Sequence, residues 1–169
     1  MRKHLPLLWV PVFGLLSACS GDRASENGEQ GPQKPLTEIL PDTWESVTIN
    51  VRVNSVENMD STAYFSIPES DWKDLYMVKP PKVFFEPGNK YRREHRNFQD
   101  SIISMSRGMW NVFGDTLMMI EKDATYQYFV KRGNGLVTFS TLMDWDGDGQ
   151  DDDEYEEVKR KVSISTGGN

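Results

Sequence analysis

Short runs of alternating apolar and polar residues recur along this chain, with a tight-turn signal between almost every pair, and this pattern limits the fold more than any other feature. Val47, Ile49, Val51 and Val53 alternate with Thr48, Asn50, Arg52 and Asn54. A period of two is that of a strand with one buried face. Gly114-Asp115 separates runs at 109–113 and 116–121 and puts glycine at the first central position of a two-residue turn, as type II′ requires. Gly133-Asn134-Gly135 separates 124–131 from 136–143, and Pro87-Gly88-Asn89-Lys90 separates 82–86 from 91–97. A weaker run, 62–67, stops at Pro68, and 69–77, with Trp72, reads as a single helical turn ended by Pro80-Pro81. A last strand over 154–164 carries Tyr155, Val158 and Val162. These add up to eight or nine strands with local connections and almost no helix. Such a sheet removes its unpaired edges by closing on itself. The expected fold is all-β, an up-and-down antiparallel β-barrel of about eight strands.

The first twenty residues speak of destination rather than fold. Arg2 and Lys3 precede an apolar run from Leu5 to Leu16, followed by small residues, which is the charge and length pattern of a secretory signal. The run is too short to span a bilayer as a helix, and Pro6 and Pro11 would disturb one. Leu16-Ser17-Ala18-Cys19 resembles the bacterial lipobox, and Cys19 is the chain's one cysteine. The resemblance implies acylation of the Cys19 sulfur with palmitate-type chains, a further acyl chain on its new amino group, and loss of residues 1–18. Each buried methylene adds ~0.8 kcal/mol, so several chains hold a protein to a membrane firmly. Ser20, rather than an aspartate, follows the cysteine, which by resemblance to sorted lipoproteins implies the outer membrane of a Gram-negative cell.

Loss of Arg2 and Lys3 takes the net charge from −7 to −9. So acidic a body is repelled by phosphates, which argues against a nucleic-acid partner. Residues 20–35 hold no large apolar side chain and are rich in Ser, Gly, Glu, Gln and Pro, the composition of a disordered tether. At this length it reaches roughly 20 to 25 Å. The expected organisation is a signal peptide at 1–18, the lipidated cysteine and linker at 19–35, one barrel at 40–164 and a short flexible tail at 165–169. With Cys19 acylated, the core must be held by packing alone.

Pro41-Asp42-Thr43-Trp44 opening the first strand, the hairpin from Gly108 through Trp110 to Leu117, and the closing Lys159-Arg160-Lys161 resemble the lipocalin-like (calycin) lipoprotein domains of Bacteroidota-type bacteria. The resemblance covers roughly 40–164 and implies a barrel in which Trp44 packs under Arg160. Asp42 stands where that family usually has glycine.

Near the end of the chain, Asp144 to Tyr155 places six aspartates within ten residues. Calcium takes six to eight hard oxygen ligands, and loops that wrap it place acids at positions one, three and five, glycine at six, a carbonyl at seven and an acid near nine. Asp144, Asp146, Asp148, Gly149, Gln150 and Asp152 fall on those positions. The loop resembles those of EF-hands, dockerins and thrombospondin repeats, but Tyr155 stands at position twelve and no helical pattern precedes it. The other reading is a long hairpin loop kept soluble by charge. Against it, acids repel one another without a cation, where Asn, Ser and Gly would serve.

Two further groups are ligand candidates. On the strand around 90–96, Arg92, Glu94 and Arg96 share one face while Arg93 and His95 share the other. The run reads as an anion-binding patch or as a solvated strand, and if its second face points into a barrel, Arg93 and His95 become the better ligand candidates. Trp110, Tyr126, Tyr128 and Phe139, among many methionines, would line a pocket for a small apolar ligand or fill a solid core. Catalysis has little support. His95 is the one histidine beyond the signal, and no glycine-flanked serine or metal-type histidine cluster occurs. The expected role is a membrane-anchored, non-enzymatic module that binds a small apolar or amphiphilic ligand, or serves as an interaction subunit with an envelope protein, with calcium as its one candidate cofactor.

Overall fold

One long strand, β1 (Asp42–Val53), organises the rest of the fold. The computed structural model describes residues 34–56 and 59–162. The expected signal peptide, Cys19, most of the expected linker and the expected tail lie outside the described residues. A helical turn, α1 (Leu36–Ile39), precedes β1. After it come β2 (Ala63–Pro68), α2 (Glu69–Asp74), β3 (Lys82–Glu86), β4 (Lys90–Arg96), β5 (Ile102–Phe113), β6 (Thr116–Ile120), β7 (Thr125–Gly133), β8 (Leu136–Met143) and β9 (Asp153–Lys161).

From β3 to β9 each strand pairs antiparallel with the next, β3 pairs with the first half of β1, and β9 returns to pair with β1 along its length. The result is a closed eight-stranded antiparallel barrel. The ninth strand, β2, pairs with the second half of β1, Thr48 to Val53, on the edge that β3 has left. The turns obey backbone chemistry: Gly114 has φ +61°, and both Asn134 and Gly135 have positive φ, as a type I′ turn requires.

The alternation in β1 is broken at Val47. Pairing with β9 shifts between Ser46 and Thr48, a β-bulge that leaves Val47 as the extra residue. Trp44 and Ser46 face inward before the bulge, and Ile49, Val51 and Val53 face inward after it. The implied packing of Trp44 under Arg160 is not formed. Arg160 lies opposite Glu45 rather than Trp44, so it leaves on the outer face, where it pairs with Glu45 at 2.6 Å and with Glu69. Trp44 lies opposite Lys161, and its indole N–H donates to the Leu40 carbonyl at 2.9 Å.

That bond ties α1 to the barrel. Leu36 and Leu40 are fully buried against Trp44, Phe85 and Trp110, so they plug one end, and the barrel unit begins several residues before 40. A second cluster, Ile49, Val51 and Val53 with Trp72 of α2, fills the space under β2.

Candidate functional site

The interior is packed with side chains. Trp110, Phe139 and Tyr128, three of the candidate ligand-binding residues, are buried in the main core. Phe85 meets Trp110 edge-on at 5.4 Å and Phe139 edge-on at 6.4 Å, and Tyr128 lies 5.7 Å from Phe139. Tyr126, partly buried, stacks on Tyr128 at 6.5 Å. These rings form one continuous cluster of the kind that fills small barrels.

Above the aromatic layer the interior becomes ionic. Arg93 and His95 do face inward, because Tyr91, two residues earlier on the same face of β4, is buried in the core. The Arg93 guanidinium lies 5.8 Å from the centre of the Tyr126 ring and hydrogen-bonds the Tyr128 hydroxyl. Across the barrel, Lys159 and Glu157 of β9 form a buried ion pair at 2.6 Å. Ser46 donates to Glu157 and accepts from Lys159 at 3.1 Å, and the Tyr155 hydroxyl donates to Glu157 at 3.1 Å. Burial pushes the Glu157 carboxyl up, but Lys159, the Ser46 hydroxyl and Arg93 outweigh it and hold it below the ordinary carboxylate range. Burial lowers Lys159 despite Glu157, with Arg93 adding to the effect. The carboxylate is thus held charged by two cations, while burial is what dominates the shift of Lys159. His95 is lowered by burial and by the Arg93 charge. The sequence did not single out Glu157 or Lys159 as site residues, because charged residues near a chain end read as solvated, nor Ser46, whose small hydroxyl carries no signal of its own.

On the outer face of β4, Glu94 is also buried. It accepts from Arg92 at 2.9 Å and Arg96 at 2.8 Å, and Arg92 lies 3.9 Å from the centre of the Phe84 ring. Arg92 also pairs with Glu86 of β3, so the two arginines of this face meet two carboxylates.

The acidic loop joins β8 to β9. Asp144 accepts from the backbone N–H groups of Gly147 at 2.7 Å and Gly149 at 3.0 Å, both glycines having left-handed φ. Asp153 is fully buried and accepts from the N–H of Trp145 at 2.7 Å and, from across the β1 end, that of Asn54 at 2.8 Å. Carboxylate oxygens of Asp144, Asp146 and Asp153 lie within 4.8 Å of one another. Two of the expected ligands, Asp144 and Asp146, are thus in the triad, with Asp153 as an unforeseen third, while the carboxylates of Asp148 and Asp152 lie outside it. Asp152 instead accepts from the Ser55 hydroxyl at 3.2 Å and keeps one buried oxygen without a hydrogen-bond partner. Three hard oxygens fit calcium's donor preference and supply half of the smallest coordination it adopts.

A broad concavity lies on the outer wall. Where β2 departs from the barrel beside β1, a groove of about 820 Å³ opens. Its floor crosses the outward-facing positions of β1, β9 and β8, with Tyr64 and Phe65 of β2 on one side and Phe129 of β7 on the other. Tyr64, Phe65, Phe129 and Leu142 are each about half exposed or more. No sequence signal pointed here, because the groove comes from the flare of β2 and not from a motif.

Comparison with known proteins found no match: no family model, no curated protein and no solved structure is significantly similar to this chain. Function must therefore be argued from the chemistry of these residues.

Proposed function

We propose that the protein is a non-catalytic lipoprotein of the Gram-negative cell envelope, anchored by acyl chains on Cys19, whose barrel is a filled scaffold and whose binding surface is its outer wall. The observation that carries this reading is the contrast between an interior occupied by aromatic rings and a buried ionic cluster, and an apolar groove of ligand size outside it. Pockets of roughly 300 to 1,000 Å³ suit small organic ligands. The reading keeps a small apolar or amphiphilic ligand and moves its place from the barrel interior to the groove. The groups a catalyst would use are already committed: Glu157 to Lys159, Glu94 to two arginines, and Arg93 to Tyr128.

Calcium binding belongs to the same reading. Asp144, Asp146 and Asp153 would hold the ion and join the β8–β9 loop to the end of β1 through Asn54, so its contribution would be to stability and not to chemistry. A second reading, an interaction subunit for an envelope protein, draws on one observation. The outward row of β5 exposes Ile103, Met105, Met109 and Phe113, with Arg107 and Asn111 between them, a mixed apolar and polar surface of the composition that contact faces have.

The experiment is to express the full chain in a Gram-negative host with labelled palmitate, then fractionate the envelope. Label and protein together in the outer membrane, with both lost in Cys19→Ala, is the expected result. An unlabelled chain free in the periplasm would overturn the anchor. Native mass spectrometry of the chain lacking residues 1–19, whose core lies wholly within 36–162, should show a bound small molecule displaced by Leu142→Ser and unaffected by Arg93→Gln. The opposite pattern would return the ligand to the interior.

A further inference from the structure

The charges in the groove do not balance. Its floor carries three charged side chains, Arg52, Glu154 and Glu156. Arg52 pairs with Glu154 at 3.1 Å and lies 5.9 Å from the centre of the Tyr64 ring, so one cation and one anion cancel. Glu156 remains. It sits on the outward face of β9 between Asn50 and Ser140 and is exposed, and among the described residues no ion pair is formed by it. Neither neighbour supplies a charge: Asn50 accepts from the Ser66 hydroxyl, and the Ser140 hydroxyl donates to the Phe129 carbonyl.

Around this lone carboxylate the surface is aromatic and aliphatic. Phe129 lies two strands away along the same row, through Ser140, while Leu142 and Tyr64 stand in the next row with Glu154 and Arg52 between them. From Phe129 to the β2 aromatics the floor spans four strand-to-strand steps, roughly 19 Å at about 4.8 Å each. A trough of that width, apolar at both margins with an anion near the middle, matches an elongated molecule bearing a positive charge on an apolar body. Cations are attracted both to carboxylates and to aromatic faces. The alternative amphiphiles, fatty acids and other anionic lipids, would bring a second negative charge beside Glu156 on a chain already at −7.

We infer that the outer groove binds cationic amphiphiles, alkylammonium compounds whose charged head pairs with Glu156 and whose chain lies across Leu142 between Phe129 and the β2 aromatics. This rests on the outer-wall reading above and adds the charge class of the ligand.

The test is calorimetric titration of the chain lacking residues 1–19 with three probes of equal chain length below their micelle concentrations: dodecyltrimethylammonium, dodecyl maltoside and dodecyl sulfate. Expected is tightest binding of the ammonium, about five-fold over the neutral probe, the upper range for a partly exposed ion pair. Dodecyl sulfate should bind weakest. Glu156→Gln should bring the ammonium down to the level of the maltoside and leave the maltoside unchanged, with an unaltered unfolding curve. Phe129→Ser should weaken both. Equal binding of the ammonium and the sulfate, or an ammonium affinity indifferent to Glu156→Gln, would overturn the charge assignment while leaving the groove as the binding place. No effect of Phe129→Ser on any probe would overturn the groove itself.

Discussion

Glu157 and Lys159 sit two residues apart on the inward face of β9 and meet at 2.6 Å, both almost entirely shut off from water. Arg93 is the second cation on that carboxylate. Removing one partner of a buried pair strands the other, at a cost of about 3–5 kcal/mol. The two deletions should therefore be unequal. Glu157→Gln strands two cations and should cost the full amount in guanidinium unfolding curves. Lys159→Met leaves Glu157 with Arg93 and should cost clearly less. Equal losses would mean that Arg93 does not share the charge.

Three carboxyls, Glu157, Glu94 and Asp42, are held below the ordinary range by Lys159, by Arg96 with Arg92, and by Lys161 respectively. The native state thus releases protons that the unfolded chain would keep. The stability they supply is complete above the ordinary carboxylate pKa of about 4 and drains away as pH falls through the lower folded values. His95 adds a separate step. Its lowered pKa means that the folded protein prefers the neutral ring, so stability declines as pH drops below about 6.5. Melting curves from pH 8 to pH 2 should show both losses, and His95→Gln should abolish the upper one alone.

Gly108 faces Tyr91 across the β4–β5 pair, where the turn after β6 closes in. A methyl group there would lie 2.1 Å from the Ile120 carbonyl oxygen and 2.8 Å from the Tyr91 ring. Backbone cannot yield so far without breaking the pairing of Met109 with Ile120. Gly108→Ala should cost about 3 kcal/mol, at the upper end for overpacking, or prevent folding. Gly135→Asn is the control. Nothing stands within 4 Å of that position and asparagine tolerates its φ of +75°, so circular dichroism melts should move little.

Calcium should raise the melting temperature by a few degrees, since a ten-fold excess over Kd adds about 1.4 kcal/mol. Asp144→Asn should remove that rise. Asp153→Asn should remove it too, and should also lower stability without calcium, because its buried carboxylate holds the N–H groups of Trp145 and Asn54. If chelation leaves the melting temperature of the parent chain unchanged, the triad works only through those internal bonds.

Much of the fold was legible because turn chemistry is local. The runs expected at 82–86 and 136–143 coincide with β3 and β8, and Gly114 and Asn134-Gly135 turn where their backbone freedom says they should. The failures share a cause. The first half of β5 escaped notice because its inward positions are Ser104 and Ser106 while Ile103 and Met105 face out, reversing the expected polarity where the barrel interior is itself polar. Leu36 lay in the gap between the expected linker and the expected barrel start at 40, and no strand or turn signal showed that it and Leu40 plug the barrel mouth. Of the candidate site, the inward pairing of Arg93 with His95 could be read from period two. The groove could not, since it depends on where β2 leaves its neighbours.

The seam that closes the barrel joins its first strand to its last, so Ser46 meets Lys159, 113 positions further along the chain. Loop-closure entropy must be overcome before so distant a contact gives any return, which makes assembly slow. A chain still emerging from the ribosome lacks β9 and cannot complete the ring. Under the proposed export to the envelope that delay would have a use: the nascent polypeptide would stay threadable until it had crossed the membrane, and the last strand to arrive would lock it shut on the far side.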